Sequence, residues 1–375
     1  MKKLAALIAV LVVGTFTFIL ACQPKAAVNA ETATAAAAEP EPTPPAVTNN
    51  EPITIAAVGD IMMGSPFPND SRMPPNDGAD LFKEVTPILS AADIAFGNLE
   101  GPIIDNGVSA KCPPRSTRCF AFRMPTRYGK YLKNAGFDVM SVANNHAGDF
   151  GEAGRASTQK VLTEQGIKYA GSLQPAAVTA FLDVKGKKVG FIAFGHNNGM
   201  PSINDLDNAR KLVADLKKRS NIVIVSFHGG GEGTDRQHVP NGTEIFLGEN
   251  RGNLRAFTHT VVDAGADIVL GHGPHVMRGM ELYNDRLIVY SMGNFCTYGW
   301  FGLAAETALG KIVEAKIAAD GKFISGKINA TKQEGRGGPL LDSAGTAIRV
   351  VRNLSTADFG ANAPKIADDG TFTKE

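Results

Sequence analysis

Within residues 266–295, ADIVLGHGPHVMRGMELYNDRLIVYSMGNF, two short apolar runs each break into a polar loop that carries glycine. Ile268-Val269-Leu270 ends at Gly271-His272-Gly273-Pro274-His275, and residues 287–290 end at Gly293-Asn294. The pattern predicts strand, polar loop, strand, polar loop. Two imidazoles on a loop pinned by a buried strand can converge on one point, because the glycines let the backbone come close. We read this stretch as half of a metal site at the end of a sheet.

The same pattern recurs upstream. Residues 53–58 are apolar and stop at Gly59-Asp60; residues 94–96 run into Gly97-Asn98-Leu99-Glu100-Gly101-Pro102. Residues 139–143 end in Asn144-Asn145-His146-Ala147-Gly148-Asp149, and residues 222–225 lead to His228-Gly229-Gly230-Gly231-Glu232. Helical spacing separates these runs, as in Tyr128, Tyr131, Leu132 and Ala135, or Leu206, Ala209, Leu212, Val213 and Leu216. Strands alternating with helices predict an α/β fold, in which ligands sit beyond the strand ends. A hairpin is expected through Lys185-Gly186-Lys187, reaching His196, and a long polar loop over residues 233–249. Alternation over residues 311–329 around Asp320-Gly321 predicts a β extension.

Asp60, Glu100, Asn145, His146, His228, His272 and His275 all follow apolar runs. Carboxylates, one amide oxygen and imidazoles form the ligand set of borderline divalent ions such as Mn²⁺, Zn²⁺ or Fe²⁺. Singly, each such residue is more often a turn cap; so many at strand ends point to one or two metal ions. His196 is either functional or a satisfied surface histidine, His259 is structural on its helix, and His238 is exposed.

The chain opens with Lys2-Lys3, an apolar run over residues 4–20 and Ala21-Cys22, the layout of a secretory signal peptide over residues 1–21. Ile19-Leu20-Ala21-Cys22 resembles a bacterial lipobox, which implies cleavage before Cys22 and lipid on its thiol; an uncleaved anchor helix is the alternative. Either places the body outside the cytoplasm, as an exported, membrane-anchored lipoprotein of the cell envelope. Residues 22–50 are rich in Ala, Glu, Pro and Thr, too poor in large apolar groups to offset their ordering entropy, and form a disordered tether. Fully extended it reaches at most roughly 90 Å. In an oxidising compartment Cys112 and Cys119, flanking Pro113-Pro114, are expected to form a disulfide, with free thiols or a zinc clip as alternatives. A formal net charge of +1 gives no electrostatic footprint for nucleic acid.

The ordered series Gly59-Asp60, Gly97-Asn98-Leu99-Glu100, Ala143-Asn144-Asn145-His146 with Asp149, His228 with Glu232, residues 263–267 (DAGAD), Gly271-His272 with Pro274-His275, and Ser291-Met292-Gly293-Asn294-Phe295 resembles the CapA family of capsule-synthesis proteins. That family is associated with poly-γ-glutamate capsules and resembles the calcineurin-like metallophosphoesterases. The resemblance implies a four-layer αββα metallophosphoesterase-like sandwich over residues 51–330, with a β-rich C-terminal extension over residues 331–375. It implies Asp60, Glu100 and His275 on a first ion, and Glu100, Asn145, His228 and His272 on a second. His146 is then the transition-state acid, and Asn98, Asn144, Glu232 and Asn294 contact substrate.

Three positions depart from the pattern. Met62 stands where the phosphoesterases place a first-ion histidine, Gly229 where the CapA pattern usually has Trp, and Gly273 where it often has a second His. The leading expectation is a membrane-tethered, extracytoplasmic CapA-type protein in capsule or poly-γ-glutamate biosynthesis, a metal-dependent hydrolase of metallophosphoesterase type. Its implied partners are an anionic polymer or phosphorylated substrate and capsule-synthesis membrane proteins. Two alternatives stand beside it: a general metallophosphoesterase on an envelope or nucleotide substrate, and a non-catalytic, metal-dependent binder of an anionic polymer.

Overall fold

The first strand, Ile53–Met62, is buried along almost its whole length and lies inside a ten-stranded sheet. It runs parallel to Ile94–Leu99, which continues through Val139–Ser141 to Lys168–Ala170. On its other side the N-terminal half pairs antiparallel with Leu309–Ile317, while the C-terminal end pairs in parallel with Asn294–Thr297. That change of partner leaves Asp60 flanked in register by Asn98 on one side and Asn294 on the other.

A second sheet of six strands holds Arg286–Val289, Ile268–His272, Ile222–His228 and Lys187–Gly195 as parallel neighbours. Antiparallel hairpins with Met280–Tyr283 and Thr179–Val184 close its two edges. The parallel register sets His272 beside His228, and His228 beside Gly195.

Period-two alternation divides each strand between two cores. Ile55, Phe96 and Val139 from the first sheet meet Phe191, Ile224 and Leu270 from the second. The opposite face of the first sheet, with Val58, Ala95 and Met140, packs on Leu89, Leu132, Val161 and Leu162 of helices Thr86–Leu89, Gly129–Asn134 and Gly151–Glu164. Val223, Val225 and Val269 pack outward on Ala209, Val213, Phe257 and Val261 of helices Leu206–Lys217 and Leu254–Asp263. The result is the expected mixed α/β sandwich in four layers, αββα. The two outer helices over the second sheet begin at caps that accept a backbone N–H, Asp205 from Asn208 and Asn253 from Ala256, each at 3.1 Å; such a cap contributes about 1 kcal/mol.

The C-terminal strands complete the first sheet. Leu309–Ile317 and Phe323–Gln333 form the hairpin expected around Asp320-Gly321, and Thr371–Thr373 adds to it. Between them lies a helix that the pattern reading does not place, Thr346–Phe359, which inserts Ala347, Ile348 and Val351 into the core between the sheets. Its apolar positions have helical spacing, so the signal is present in the sequence.

The computed structural model describes residues 43, 45–112, 119–174 and 176–375. The segment expected as signal peptide and most of the expected tether, with Cys22, lie outside the described residues, and among the described ones no helix is long and apolar enough to cross a membrane.

A candidate metal centre

Two rungs, one from each sheet, build the site. Asn98 and Asp60, at the carboxyl ends of parallel strands in the first sheet, stand side by side with Asn294, the first residue of the neighbouring parallel strand. His228 and His272 stand side by side at the carboxyl ends of parallel strands in the second. Side chains at the ends of parallel strands project toward the loops that follow, and here those loops bring Glu100, Asn145, His146 and His275 to the same end. Ligand atoms of Asp60, Glu100 and His228 fall within 4.8 Å of one another, and all three residues are buried.

His275 reaches the cluster on a left-handed backbone, φ 57°, a conformation that persists in a non-glycine residue only when its surroundings hold it there. Its Nδ1 lies 3.1 Å from Asn294 Oδ1 and 3.0 Å from Asp60 Oδ2, and its Nε2 is 3.6 Å from Glu100 Oε1. With Nδ1–H turned to those two oxygens, Nε2 is the nitrogen left for an ion. His272 donates from Nε2 to Val58 O at 3.2 Å, which leaves Nδ1. Both tautomers are therefore set by neighbours in the fold.

The remaining atoms are the informative ones. Both oxygens of Glu100, Asn145 Oδ1, both nitrogens of His228 and His272 Nδ1 are buried and make no hydrogen bond; nor does Asp60 Oδ2, apart from the close approach of His275. Orphaned buried polar atoms cost free energy and are rare. One nitrogen of the neutral His228 ring carries a proton; the remaining atoms are lone-pair donors from carboxylate, amide and imidazole groups, a set that fits one or two divalent cations.

The electrostatics point the same way. Burial pushes Glu100 well above the usual carboxylate range; the charge of His275 opposes this, and Asp60 reinforces it. Burial disfavours charge on His275 as well, but Glu100 and Asp60 overcome it and push the imidazole up to about 10. His228 is held well below its ordinary value by burial, reinforced by the other imidazoles. A proton on His275 thus stands in for positive charge that the carboxylates call for.

His146 belongs to a separate hydrogen-bonded pair beside these ligands. Its Nδ1 approaches both Asp149 Oδ2 at 2.7 Å and Lys111 Nζ at 3.2 Å. The shorter bond, to a fully buried carboxylate, decides the tautomer: Nδ1–H donates to Asp149, and Lys111 finds its acceptor in Asn145 O at 3.2 Å. Burial lowers the pKa of His146 against the pull of Asp149.

The residues expected to touch substrate lie in hydrogen bonds around the site. Asn98 Nδ2 donates to Asp60 Oδ1 at 2.8 Å, and Asn144 Nδ2 donates to Leu99 O at 2.9 Å while its Oδ1 accepts from His146 N at 3.2 Å. Asn294 Nδ2 donates to the carbonyls of His275 and Thr307 at 3.1 and 3.0 Å. These amides hold the ligands in place. Glu232 accepts from Arg251 Nη1 at 2.8 Å and keeps a quarter of its side chain exposed. His196 donates to His228 O at 3.2 Å and lies against the His228 ring, centroids 5.9 Å apart. His259 pairs with Glu281 at 3.0 Å, and His238, two-thirds exposed, with Asp358 at 2.7 Å.

Met62 is fully buried. The two glycine departures face each other: Gly229 N donates to His272 O at 2.9 Å, and a Cβ on Gly273 would stand 2.5 Å from Gly229 O. A side chain at residue 273 is therefore excluded by the Gly229 backbone, while one at residue 229 would meet Ile203, Leu254 and the Arg251 carbonyl. Cys112 and Cys119 are disulfide-bonded, Cα to Cα 5.5 Å, whereas Cys296 is a buried free thiol. Sequence reasoning missed the aromatic residues beside the site: Phe122 stacks on His146 with centroids 3.7 Å apart, and Phe301 lies 4.6 Å from His275. They sit in irregular loops, where no period marks them.

Residues 54–298 match the family described as "Bacterial capsule synthesis protein PGA_cap". The "Capsule biosynthesis protein CapA" of Bacillus anthracis is 29% identical over 351 residues, covering 88% of this chain and 80% of that protein. The "PGA biosynthesis protein CapA" of Bacillus subtilis (strain 168) is 32% identical over 279 residues, covering 69% and 67%. Among solved structures, a phosphatase from Mycoplasma pneumoniae superposes with a TM-score of 0.47 at 14% identity, over 75% of this chain and 94% of that one.

Proposed function

The chain belongs to the bacterial capsule synthesis protein PGA_cap family, and from that premise we propose that it is an extracytoplasmic, membrane-tethered protein of capsule or poly-γ-glutamate assembly whose metal centre hydrolyses a phosphate ester. The setting is supported by the names of the two Bacillus relatives, which speak of capsule and PGA biosynthesis. The chemistry is carried by one observation, the buried carboxylate, amide and imidazole atoms of Asp60, Glu100, Asn145, His228 and His272 left without hydrogen-bond partners, with ligand atoms of Asp60, Glu100 and His228 within 4.8 Å of one another.

Asp60, Glu100 and His275 would hold one ion, and Glu100, Asn145, His228 and His272 a second. Bound there, divalent ions polarise a phosphoryl group and acidify water. The protein's own part is positional. Asn294 and Val58 fix the tautomers of His275 and His272. Asp149 orients His146 by accepting its Nδ1–H, so Nε2 is the nitrogen free to take up a second proton, and the resulting imidazolium, balanced by Asp149, would hand that proton to a departing alkoxide. The anchor reading rests on Cys22 and the lipobox-like residues before it.

Metal analysis of the purified full chain, with turnover of bis-p-nitrophenyl phosphate, tests the reading: bound Mn, Zn or Fe and hydrolysis lost in His146→Asn are expected. A second reading, a metal-dependent binder of an anionic polymer that cleaves nothing, is favoured by Met62, which removes a first-ion ligand. Bound metal and polyglutamate retention without any phosphodiester turnover would select it. A metal-free protein that stays metal-free on dialysis against Mn²⁺ and Zn²⁺ would sink both.

A further inference from the structure

The loop that carries the disulfide is fastened to one small target. Ser109 Oγ and Ala110 N donate to Asp149 O at 3.1 and 2.8 Å. Lys111 Nζ donates to Asn145 O at 3.2 Å and lies 3.4 Å from Asp149 Oδ1. From the other stem, Phe122 N donates to Asp149 Oδ2 at 2.7 Å, and the Phe122 ring lies over the His146 ring with planes 19° apart. Behind it, Trp300 packs on Phe122 at 4.6 Å, and the Arg72 guanidinium sits 4.1 Å over Trp300. Gly101, next to Glu100, makes this approach possible, since a Cβ there would stand 2.8 Å from Phe122 Cβ. The cysteines are the residues immediately outside these contacts: Cys112 follows Lys111, and Cys119 precedes Phe120-Ala121-Phe122.

Each stem alone is a weak brace. Lys111 is one-third exposed, and an exposed lysine contact contributes little because its flexible stem loses entropy in one geometry. Stacking of a single ring is a weak hold by itself. A crosslink joining the stems removes much of the freedom with which either could leave. We propose that Phe122 and Lys111 are positioning residues for His146, and that the Cys112–Cys119 crosslink serves to keep both stems seated on the His146–Asp149 pair. The inference rests on the reading of His146 as the proton donor of the metal centre. Asp149 fixes the direction of the imidazole through Nδ1; Phe122 fixes its plane, so Nε2 keeps one aim.

The test uses the full-length protein labelled with ¹³C at histidine Cε1, with the His146 signal assigned from His146→Asn. A proton above a phenyl face is shielded, so the His146 signal lies upfield in the wild type. In Cys112→Ser/Cys119→Ser and in Phe122→Ala that displacement is lost, whereas Phe122→Tyr keeps it. In the same variants kcat on bis-p-nitrophenyl phosphate falls about tenfold to a hundredfold, with KM and bound metal unchanged, and Phe122→Tyr recovers it. Lys111→Ala lowers kcat less, and Lys111→Arg restores it. An unmoved His146 signal in both the crosslink-free variant and Phe122→Ala overturns the proposal, as does a loss of metal that parallels the loss of turnover. Should the wild type prove inactive, the phosphoesterase reading fails and the resonance alone decides this one.

Discussion

Gly59 and Gly293 meet so closely that a Cβ on Gly59 would lie 1.9 Å from the Gly293 carbonyl oxygen. That oxygen accepts from Asp60 N at 3.0 Å, and the bond stitches Asn294–Thr297 onto the end of the first strand. The register of Asn294 beside Asp60, and with it the orientation of His275, depends on this contact.

Gly59→Ala is therefore expected to force the two strands apart. The added methyl meets backbone, which cannot rotate away, so a loss of about 3 kcal/mol in urea unfolding is expected, together with weaker metal binding. A midpoint and metal affinity equal to those of the wild type would show that the strands can separate without cost.

Two metal sites of unequal strength are expected, because Met62 offers a soft thioether where a borderline cation prefers imidazole. Calorimetric titration of the metal-free protein with Mn²⁺ or Zn²⁺ should show two unequal steps, or one. His228→Ala should abolish the tighter step, and Met62→His should strengthen the weaker. Two equal steps, or a tight step indifferent to His228→Ala, would overturn the assignment of ligands to ions.

Lys311 gives the fold a pH dependence of its own. It is fully buried on a sheet strand, donates to Ser291 O at 2.7 Å, and burial lowers its pKa to about 7. Because the unfolded chain binds this proton up to the ordinary lysine range, the unfolded state carries more protons between about 7 and 10.5, so stability rises with pH across that window. The penalty is fully present below it. Lys311→Met should stabilise the metal-free protein near pH 6 by up to roughly 4 kcal/mol and flatten this slope. Urea midpoints at roughly pH 6, 7.5 and 9, from below the window into its upper half, decide it; parallel wild-type and variant profiles would count against it.

The anchor is open to direct assay. Cys22→Ser should move the protein from the membrane fraction to the soluble one, and intact mass should show lipid on Cys22 in the wild type only. Unchanged sedimentation of the variant, with no lipid mass on the wild type, would leave the segment as an ordinary signal or an uncleaved anchor.

Local patterns in the chain were enough for the main buried strands, though not for Lys168–Ala170, Met280–Tyr283 or Asn294–Thr297, the last read as polar loop, and for the placing of Asp60, Glu100, Asn145, His146, His228, His272 and His275 after apolar runs. Burial imposes a period of two or of three to four on neighbouring residues, and a glycine at a run's end marks where the backbone must turn; both are short-range effects that a sequence displays. Which of those run ends meet was decided only in three dimensions. The parallel register that sets Asn98 and Asn294 beside Asp60, and His228 beside His272, joins residues far apart in sequence. The employment of Asn98, Asn144 and Asn294 as braces, the pairing of Gly229 with Gly273 and the seat of Phe122 on His146 follow from that register. None has a local signature, because each depends on how two distant backbones approach, and the sequence alone does not record that distance.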